Sequence, residues 1–364
     1  NAGRLLGVFR AAPGGGGRLL PVDKKSQGRE LSIAPGSEGD AQDGDLVSVR
    51  AVPGSRLGLA RATVRERLGS LTSEKAVSLV ALYAHGIPQH FRPAALAEAE
   101  AARPATLGSR EDWREGPLVT IDPPAAKDHD DAVHAVADDD PGNPGGFVVH
   151  VAIADVAAYV RPHSALDREA LERGNSVYFP DRVVPMLPER ISNDLCSLRP
   201  QEDRPALAVR IVLDASGRKR SHSFHRVLMR SRAKLAYAQA QAAIDGRPDE
   251  VTGPLLDTVL RPLWDAYALL ARPRDQREPL ALDLPERKIL LRPDGQVDKV
   301  ITPERLEAHR LIEEFMIQAN VAAAEALEKA RTLLIYRVHD EPSVEKMRSL
   351  GEVLASLGLT LPKQ

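Results

Sequence analysis

The 364-residue chain is long enough for two or three domains of about 150 residues each. Its 49 Lys and Arg residues nearly balance its 51 Asp and Glu residues, so a uniformly basic nucleic-acid-binding protein is excluded, although a local basic channel is not. A single cysteine excludes an intramolecular disulfide framework and a Cys-cluster metal site, and it favours a reducing, cytoplasmic location. No apolar run approaches the ~20 residues that span a membrane.

Residues 1–70 contain five short apolar runs, which predict a small β unit. Gly, Pro and Asp residues separate the runs and mark turns between strands. A sandwich or another small β domain has the same pattern, and an OB-like barrel is the more specific interpretation. The predicted strands are 5–9, 19–22, 30–33, 46–51 and 59–64.

A helical connector follows the β unit. Apolar residues recur at helical spacing over 72–86, where Thr72 or Ser73 can cap the first turn. A second helix is expected to begin at Pro93, because proline is favoured at the first helical position. Residues 103–114 are interpreted as a linker.

From residue 118 onwards, predicted strands and helices are mixed, a pattern that indicates one large α+β domain. The longest helix is expected to have Thr302 as its N-cap and Pro303 at its first position, and to run to about residue 330. The strands predicted in this region are 118–121, 132–136, 147–154 and 207–213.

Four aspartates within ten residues are the most informative feature of the sequence. Two unit charges ~4 Å apart repel by roughly 4 kcal/mol at an effective dielectric constant of 20. A fold that brings these carboxylates together therefore needs a cation, shared protons or full exposure to solvent. The four residues are Asp122, Asp128, Asp130 and Asp131.

Three interpretations of this cluster compete. An exposed acidic turn is the simplest, but apolar strand-like residues flank the cluster on both sides. A calcium loop of the EF-hand kind fails, because Lys127 stands where glycine is required and Val133 where the bidentate glutamate belongs. A Mg²⁺ site that hydrolyses phosphodiesters fits the oxygen ligands. The sequence offers no competing nucleophile arrangement and no glycine-rich loop for a nucleotide cofactor.

The spacing of these aspartates, D-x5-D-x-D-D, resembles the signature of the RNase II/RNase R family of processive 3′-to-5′ exoribonucleases. The similarity continues through ordered blocks that include Arg-Gly-Asn-Ser-Val-Tyr-Phe-Pro-Asp-Arg at 173–182, and it covers residues 105–364. The first β unit, with Ala-His-Gly-Ile-Pro at 84–88, resembles the second cold-shock domain of the RNase R branch. The further matching blocks are 151–156, 166–170, 183–188, 195–198, 309–316 and 336–339.

The resemblance implies three regions and one activity. Residues 1–70 would form a cold-shock-like RNA-binding barrel, 71–104 a helical connector, and 105–364 the N-terminal part of the RNB-type catalytic domain. The implied reaction is Mg²⁺-dependent hydrolysis of single-stranded RNA from its 3′ end to nucleoside 5′-monophosphates. RNA is the implied partner, with neither a membrane nor a nucleotide cofactor involved.

The resemblance also implies roles for the four aspartates. Asp122 and Asp131 would be direct Mg²⁺ ligands, while Asp128 and Asp130 would hold a second metal ion or orient the attacking water. His129 stands where the family often has an aromatic residue, so we interpret it as a packing residue.

Four further residues are implied to contact RNA. Tyr178 would stack on a base near the 3′ end, although an ordinary half-buried strand tyrosine fits the sequence as well. Tyr237 and Glu314 would contact the ribose, and Glu313 is an equal candidate for the role of Glu314. A contact with the 2′-hydroxyl is how RNA is distinguished from DNA.

The sequence departs from the family at both ends. The first cold-shock domain, the later arginine-containing segment and the C-terminal OB-type domain have no counterpart in it. We therefore expect the chain to be truncated at both ends and to leave an apolar face that the remaining part of its own polypeptide would cover. The alternative function is an RNA-binding regulator that keeps the RNB fold without hydrolysis.

Overall fold

A computed structural model describes residues 4–22, 29–52, 59–70, 74–276, 284, 286–293 and 295–361. The chain divides into two compact units, Asn1–Ala319 and Asn320–Gln364, so the predicted domain boundary near residue 104 falls inside the first unit. The predicted caps of the first helix, Thr72 and Ser73, lie outside the described residues. No helix in the described ranges is long and apolar enough to cross a membrane.

The N-terminal strands close into a five-stranded barrel, as predicted. The strand order is β1-β2-β3-β5-β4, and the pairing of β3 with β5 is parallel while the other pairs are antiparallel. Alternate side chains point inwards and are buried, among them Phe9, Leu19 and Val49. The strands are β1 (Arg4–Ala11), β2 (Gly17–Pro21), β3 (Leu31–Ile33), β4 (Asp45–Val52) and β5 (Ala60–Ser70).

Two helices follow the barrel, as the sequence predicts. Helix α1 (Glu74–Ala84) is followed by Gly86, whose positive φ of 64° ends the helix. Leu79 and Leu82 of this helix pack in one apolar cluster with barrel residues. Helix α2 (Pro93–Ala101) begins at proline, as expected, and buries two alanines in the core of the following domain.

A five-stranded sheet forms the centre of the second region, which confirms the mixed α/β prediction. Its strand order is β6-β13-β12-β9-β8. Small residues on one face, such as Ala132, Ala152 and Ala208, form a core with α2 and the segments around Leu166 and Ile191. The strands are β6 (Glu111–Trp113), β8 (Asp131–Ala137), β9 (Phe147–Ala154), β12 (Asp203–Leu213) and β13 (Lys219–Arg230).

Strands β6 and β13 of this sheet are not predicted from the sequence. Strand β6 lies inside the predicted linker and has only three residues, two of which are exposed. Strand β13 buries only Val227, Leu228 and Met229 of its twelve residues, so the rest of its sequence carries no apolar alternation. Strand β6 depends on pairing with residues more than one hundred positions away, and β13 depends on the hairpin that it forms with β12 rather than on its own pattern.

The longest helix begins later than predicted. It starts at Glu307 rather than after Thr302, and it ends at Lys329, close to the expected end. The preceding strand continues to Ile301, and the first turn is stabilised by side chains instead of a Thr cap. The backbone N–H of Leu306 donates to His309 Nδ1 at 3.1 Å, and that of Ala308 donates to Gln241 Oε1 at 3.0 Å.

The remaining elements complete the described parts of the chain. Three two-stranded pairs are β10 (Val177–Tyr178) with β11 (Val183–Val184), β7 (Thr120–Asp122) with β14 (Lys234–Ala236), and β15 (Lys288–Leu291) with β16 (Val297–Ile301). The other helices are α3 (Ala165–Arg173), α4 (Tyr237–Ile244), α5 (Arg261–Gln276), α6 (Glu307–Lys329) and α7 (Val344–Ser356), and a π-helical turn spans Arg190–Leu195.

Candidate active site

The parallel pair β7–β14 places the first aspartate beside a tyrosine. Asp122 is the register partner of Ala236, the last residue of β14, and Tyr237 follows directly at the start of α4. Residues Thr120 and Ile121 are buried, which fixes β7 in the core and presents Asp122 at its end. Two residues that are more than one hundred positions apart therefore meet at one end of this pair.

His129 holds the carboxylate of Asp122. After the turn that follows β7, the imidazole is buried and its Nδ1 lies 2.8 Å from Asp122 Oδ2. Since an ionised carboxylate can only accept a hydrogen bond, this contact requires an imidazole that carries a proton on Nδ1. The backbone of His129 is anchored as well, because its N–H donates to Ser197 Oγ at 3.1 Å and its carbonyl accepts from Leu198 N–H at 2.8 Å. His129 thus positions Asp122 in addition to packing.

Asp130 and Asp131 lie at the start of strand β8 and interact electrostatically with the other aspartates. Burial raises the pKa of Asp131 to about 7, with further contributions from the charges of Asp122 and Asp130. Burial and the charges of Asp128 and Asp122 also raise the pKa of Asp130, even though part of this residue is solvent-exposed. Asp122, Asp130 and Asp131 therefore interact electrostatically with one another, and Asp128 interacts with Asp130.

The donor chemistry of this cluster fits a hard divalent cation. Its ligands are carboxylate oxygens, and a bound cation would stabilise the ionised form of Asp131, which burial and the charges of Asp122 and Asp130 disfavour. Among the described residues, however, no group of three or more His, Cys, Asp or Glu side chains is already arranged to hold a metal ion. The predicted metal ligands Asp122, Asp128, Asp130 and Asp131 therefore stay a prediction, in which side chains reorient around the ion.

Tyr178 lies beside two of the aspartates. It ends the short strand β10 and is 67% exposed. Burial of part of the ring and the charges of Asp128 and Asp130 raise its pKa. An exposed aromatic face next to the carboxylates is compatible with the predicted stacking of a base, which stays a prediction.

Tyr237 lies beside the other two aspartates. Burial raises its pKa to about 12, with contributions from the charges of Asp131 and Asp122. The ring stacks on His309 of α6, with centroids 3.9 Å apart and an angle of 17° between the planes. The phenol is therefore neutral at physiological pH and can donate a hydrogen bond towards the acidic cluster.

The two glutamates predicted to contact ribose are bound to protein side chains. Glu314 is 1% exposed, and its carboxylate accepts from Arg274 Nη1 at 2.7 Å and from Gln318 Nε2 at 3.1 Å. Glu313 accepts from Arg274 Nη2 at 3.0 Å and also from Arg305. The glutamate nearer to solvent is Glu313. Contact of either residue with a substrate stays a prediction.

Three residues that contact predicted site residues are not predicted from the sequence in that role. Arg274 and His309 were not singled out, because their partners lie in other elements and no local spacing signals them. His129 was interpreted only as a packing residue. A histidine among four aspartates was the available signal, since an imidazole there can bind a carboxylate.

Fold and site together define an α+β protein with an N-terminal barrel and an acidic candidate metal-binding site. Residues 110–363 match the family model described as RNB domain. This match covers more than half of the chain, and the chain belongs to the RNB domain family.

Comparisons with individual proteins agree with this family. The chain is 42% identical over 255 residues to Ribonuclease R of Escherichia coli strain K12, covering 70% of this chain and 31% of that protein. The solved structure of Mycoplasma genitalium RNase R in complex with double-stranded RNA matches with a TM-score of 0.90 and 25% identity, covering 100% of this chain and 64% of that one.

A third match extends the fold to a different kind of protein. Yeast Ssd1, described as a pseudonuclease, has a TM-score of 0.67 at 17% identity, covering 98% of this chain and 45% of that one, and at this identity it shows the fold alone. The chain spans 31% of the length of the Escherichia coli protein and 50% of that of the Thermotoga maritima Ribonuclease R.

Proposed function

We propose that the chain carries the hydrolytic site of a processive 3′-to-5′ exoribonuclease that converts single-stranded RNA to nucleoside 5′-monophosphates. The observation that carries this proposal is the match of residues 110–363 to the RNB domain, together with Asp122 lying beside Tyr237 and 2.8 Å from His129 at the end of the β7–β14 pair. Tyr178 interacts electrostatically with Asp128 and Asp130, and Tyr237 with Asp131 and Asp122. The similarity to proteins named Ribonuclease R supports the choice of substrate.

The proposed cofactor is Mg²⁺, with Asp122 and Asp131 as direct ligands and Asp128 and Asp130 as partners of a second ion or of the attacking water. Bound divalent ions would activate water and stabilise the leaving oxygen of the phosphodiester. The contact with His129 would keep the Asp122 carboxylate in one orientation, while the other carboxylates would be oriented when the ion binds.

The two tyrosines would bind the RNA end. The exposed ring of Tyr178 offers a face on which any base can stack, a contact worth about 1–3 kcal/mol per base and independent of sequence. The neutral phenol of Tyr237 can donate to a ribose hydroxyl or a phosphate oxygen. Glu313, which is more accessible than Glu314, is the proposed second contact to the ribose.

The experiment that tests this function is incubation of a 5′-labelled single-stranded RNA with the chain in Mg²⁺ or in EDTA. We expect stepwise shortening from the 3′ end in Mg²⁺ only. Asp130→Asn should abolish shortening while RNA binding remains, whereas Asp139→Asn, in an exposed acidic loop, should behave like wild type. Equal turnover by Asp130→Asn and wild type would reject the assignment.

The second candidate is an RNA-binding regulator that retains the RNB fold without hydrolysis. It is favoured by the observation that, across the described residues, no three ligands are already arranged for a metal ion. A stable shifted RNA complex that never shortens in Mg²⁺ would support this candidate. Internal fragments would instead indicate an endonuclease.

We also propose a cytoplasmic location, on the basis of the single cysteine, Cys196, which is buried. Burial raises the pKa of this thiol to about 12, so it is unreactive as it stands. The remaining part of the native polypeptide is a further proposed partner.

A further inference from the structure

The start of helix α6 holds the Tyr237 ring from one side. The ring lies against His309, with the centroids 3.9 Å apart and the planes at 17°, so the two rings overlap. Tyr237 is the first residue of α4, and rotation about its side-chain torsions would point the hydroxyl elsewhere, so the stacking contact selects one orientation. One face of the ring is thereby occupied, which leaves the hydroxyl as the group that can bind a ligand.

A backbone hydrogen bond in turn fixes the His309 ring. The N–H of Leu306 donates to His309 Nδ1 at 3.1 Å, so this nitrogen carries no proton. Burial lowers the pKa of the imidazole, and the charge of Arg305 lowers it further. The ring is therefore neutral at neutral pH, with its proton on Nε2, and adds no charge beside the acidic cluster.

The first turn of α6, which carries His309, is tied to two other helices. Trp264 Nε1 of α5 donates to Glu307 Oε2 at 2.9 Å, and the N–H of Ala308 donates to Gln241 Oε1 of α4 at 3.0 Å. Gln241 lies four residues after the start of α4, so the two helices meet along the side of α4 that also carries the tyrosine. His309 is consequently presented by a braced segment.

The hydroxyl held in this way belongs to the candidate active site. The charges of Asp131 and Asp122 contribute to the raised pKa of Tyr237, of which burial is the largest cause. Asp122 is also the register partner of Ala236, the residue that precedes Tyr237. A hydroxyl at the far end of a ring moves by several ångströms when either side-chain torsion changes, so its place beside the aspartates depends on what holds the ring.

We propose that His309 is a positioning residue, which holds the Tyr237 hydroxyl for the sugar at the RNA 3′ end and thereby supports the preference for RNA over DNA. This inference rests on the proposed function, because RNA is the ligand of Tyr237. Ordering a mobile side chain during binding weakens affinity, whereas a ring that is already oriented avoids this loss. A contact with the 2′-hydroxyl is absent from DNA, so only RNA binding depends on it.

Two variants separate the stacking contact from the backbone contact. His309→Phe keeps a ring against Tyr237 and removes the acceptor for Leu306 N–H, whereas His309→Asn keeps an acceptor and removes the ring. In EDTA, His309→Asn should bind a single-stranded RNA about fivefold more weakly than wild type and a DNA of the same sequence equally well. His309→Phe should bind RNA as wild type does. The matched control is Thr302→Asn, an exposed residue before α6, which should change neither affinity.

A double-variant cycle shows whether His309 acts through Tyr237. Tyr237→Phe keeps the ring but removes the hydroxyl, so it should weaken RNA binding, and adding His309→Asn should cause no further loss. NMR gives a readout without a ligand, because the ring protons of Tyr237 should shift in His309→Asn and less so in His309→Phe. In wild type, RNA should shift these signals and DNA should not, a measurement that needs no variant.

Several outcomes would overturn the role of His309. They are equal RNA binding by His309→Asn and wild type, an equal loss in His309→Phe, the same loss for DNA, additive losses in the cycle, and Tyr237 signals that do not respond to RNA. The proposed function fails separately. RNA that is never shortened in Mg²⁺, while the affinities follow the expected pattern, would reject hydrolysis alone, and stepwise shortening with unchanged affinities would reject only the role of His309.

Discussion

At the scale of single residues, His129 links the core to the acidic cluster. Its ring fills a buried position and contacts Asp122 across 2.8 Å. His129→Phe keeps an aromatic ring in a somewhat larger side chain but removes the contact, and we expect a loss of about 1–2 kcal/mol in the free energy of unfolding. His129→Ala also leaves a cavity and should cost about 2–4 kcal/mol. Urea denaturation of the three proteins measures both losses, and equal losses in the two variants would show that the ring is not packed.

Asp131 makes the stability of the metal-free chain depend on pH. Its pKa of about 7 in the folded chain lies above the ordinary value of 3.8, so the folded state binds more protons than the unfolded state between these pH values. Its contribution to stability is therefore fully present below about pH 4 and is lost as pH rises through 7. Since the carboxylates titrate together, the apparent pKa belongs to the cluster.

The pH dependence can be measured by comparing wild type with Asp131→Asn in EDTA at pH 5 and pH 8. Wild type should lose more stability than the variant between these two values, and Mg²⁺ should restore most of the loss at pH 8. A variant with the same pH dependence as wild type would contradict the assignment of the pKa of about 7 to the cluster.

The sequence predicts these residues unequally. The four aspartates can be recognised in the sequence because they are close together and because few arrangements, such as a bound cation, relieve their mutual repulsion. Arg274 is not visible, because its partner Glu314 lies forty positions away in another helix. The sequence can predict at most that a buried glutamate has a cationic partner. Which residue supplies that cation depends on tertiary packing.

At the scale of elements, this pair joins helices α5 and α6. Glu314 is buried, so removing Arg274 leaves a carboxylate whose remaining partner, within the part of the chain that the structure describes, is Gln318. We expect Arg274→Met to lower the free energy of unfolding by about 3 kcal/mol, the lower end of the range for breaking a buried ion pair, because Arg274 is partly exposed. The double variant with Glu314→Gln should recover part of this loss, and additive losses in thermal denaturation would contradict the coupling.

The turn between β12 and β13 requires glycine for two reasons. Gly217 has a φ of 78°, and a Cβ there would lie 2.0 Å from the carbonyl oxygen of Leu269 in α5. Gly217→Ala should therefore destabilise by more than the ~1 kcal/mol of an unfavourable φ alone, because the turn must also move away from the helix. Gly246→Ala is the control, since it has a φ of 86° and open space around it. Equal melting temperatures of the two variants would exclude the clash.

Elements with their own apolar pattern are predicted well, and elements formed by pairing are not. The barrel strands and α2 follow from local periodicity and from Pro93. Strand β13 is mostly polar and exists because β12 pairs along its whole length. The start of α6 is displaced because His309 and Gln241 satisfy its first N–H groups, a solution that Thr302 and Pro303 do not reveal.

At the scale of the whole molecule, the segment after α6 carries large apolar side chains that are almost fully exposed. Leu333, Ile335 and Val338 are 94%, 98% and 77% exposed. Exposed apolar side chains that are close in sequence promote association when they form a common surface. We expect the chain to self-associate at micromolar concentration, and the triple variant with serine at these three positions to remain monomeric with an unchanged melting temperature. Light scattering during size-exclusion chromatography measures the difference, and a monomeric wild type would contradict it.

The parallel pairing of β7 with β14 also determines at what point during synthesis the two strands can come together. Asp122 and its neighbour Tyr237 are joined through a strand pair that closes only after the intervening hundred or more residues exist. A chain still emerging from the ribosome would have its barrel and its aspartates, but not the second strand that orders them. In the growing polypeptide, Asp122 and Tyr237 can therefore come together only after residue 237 has been synthesised.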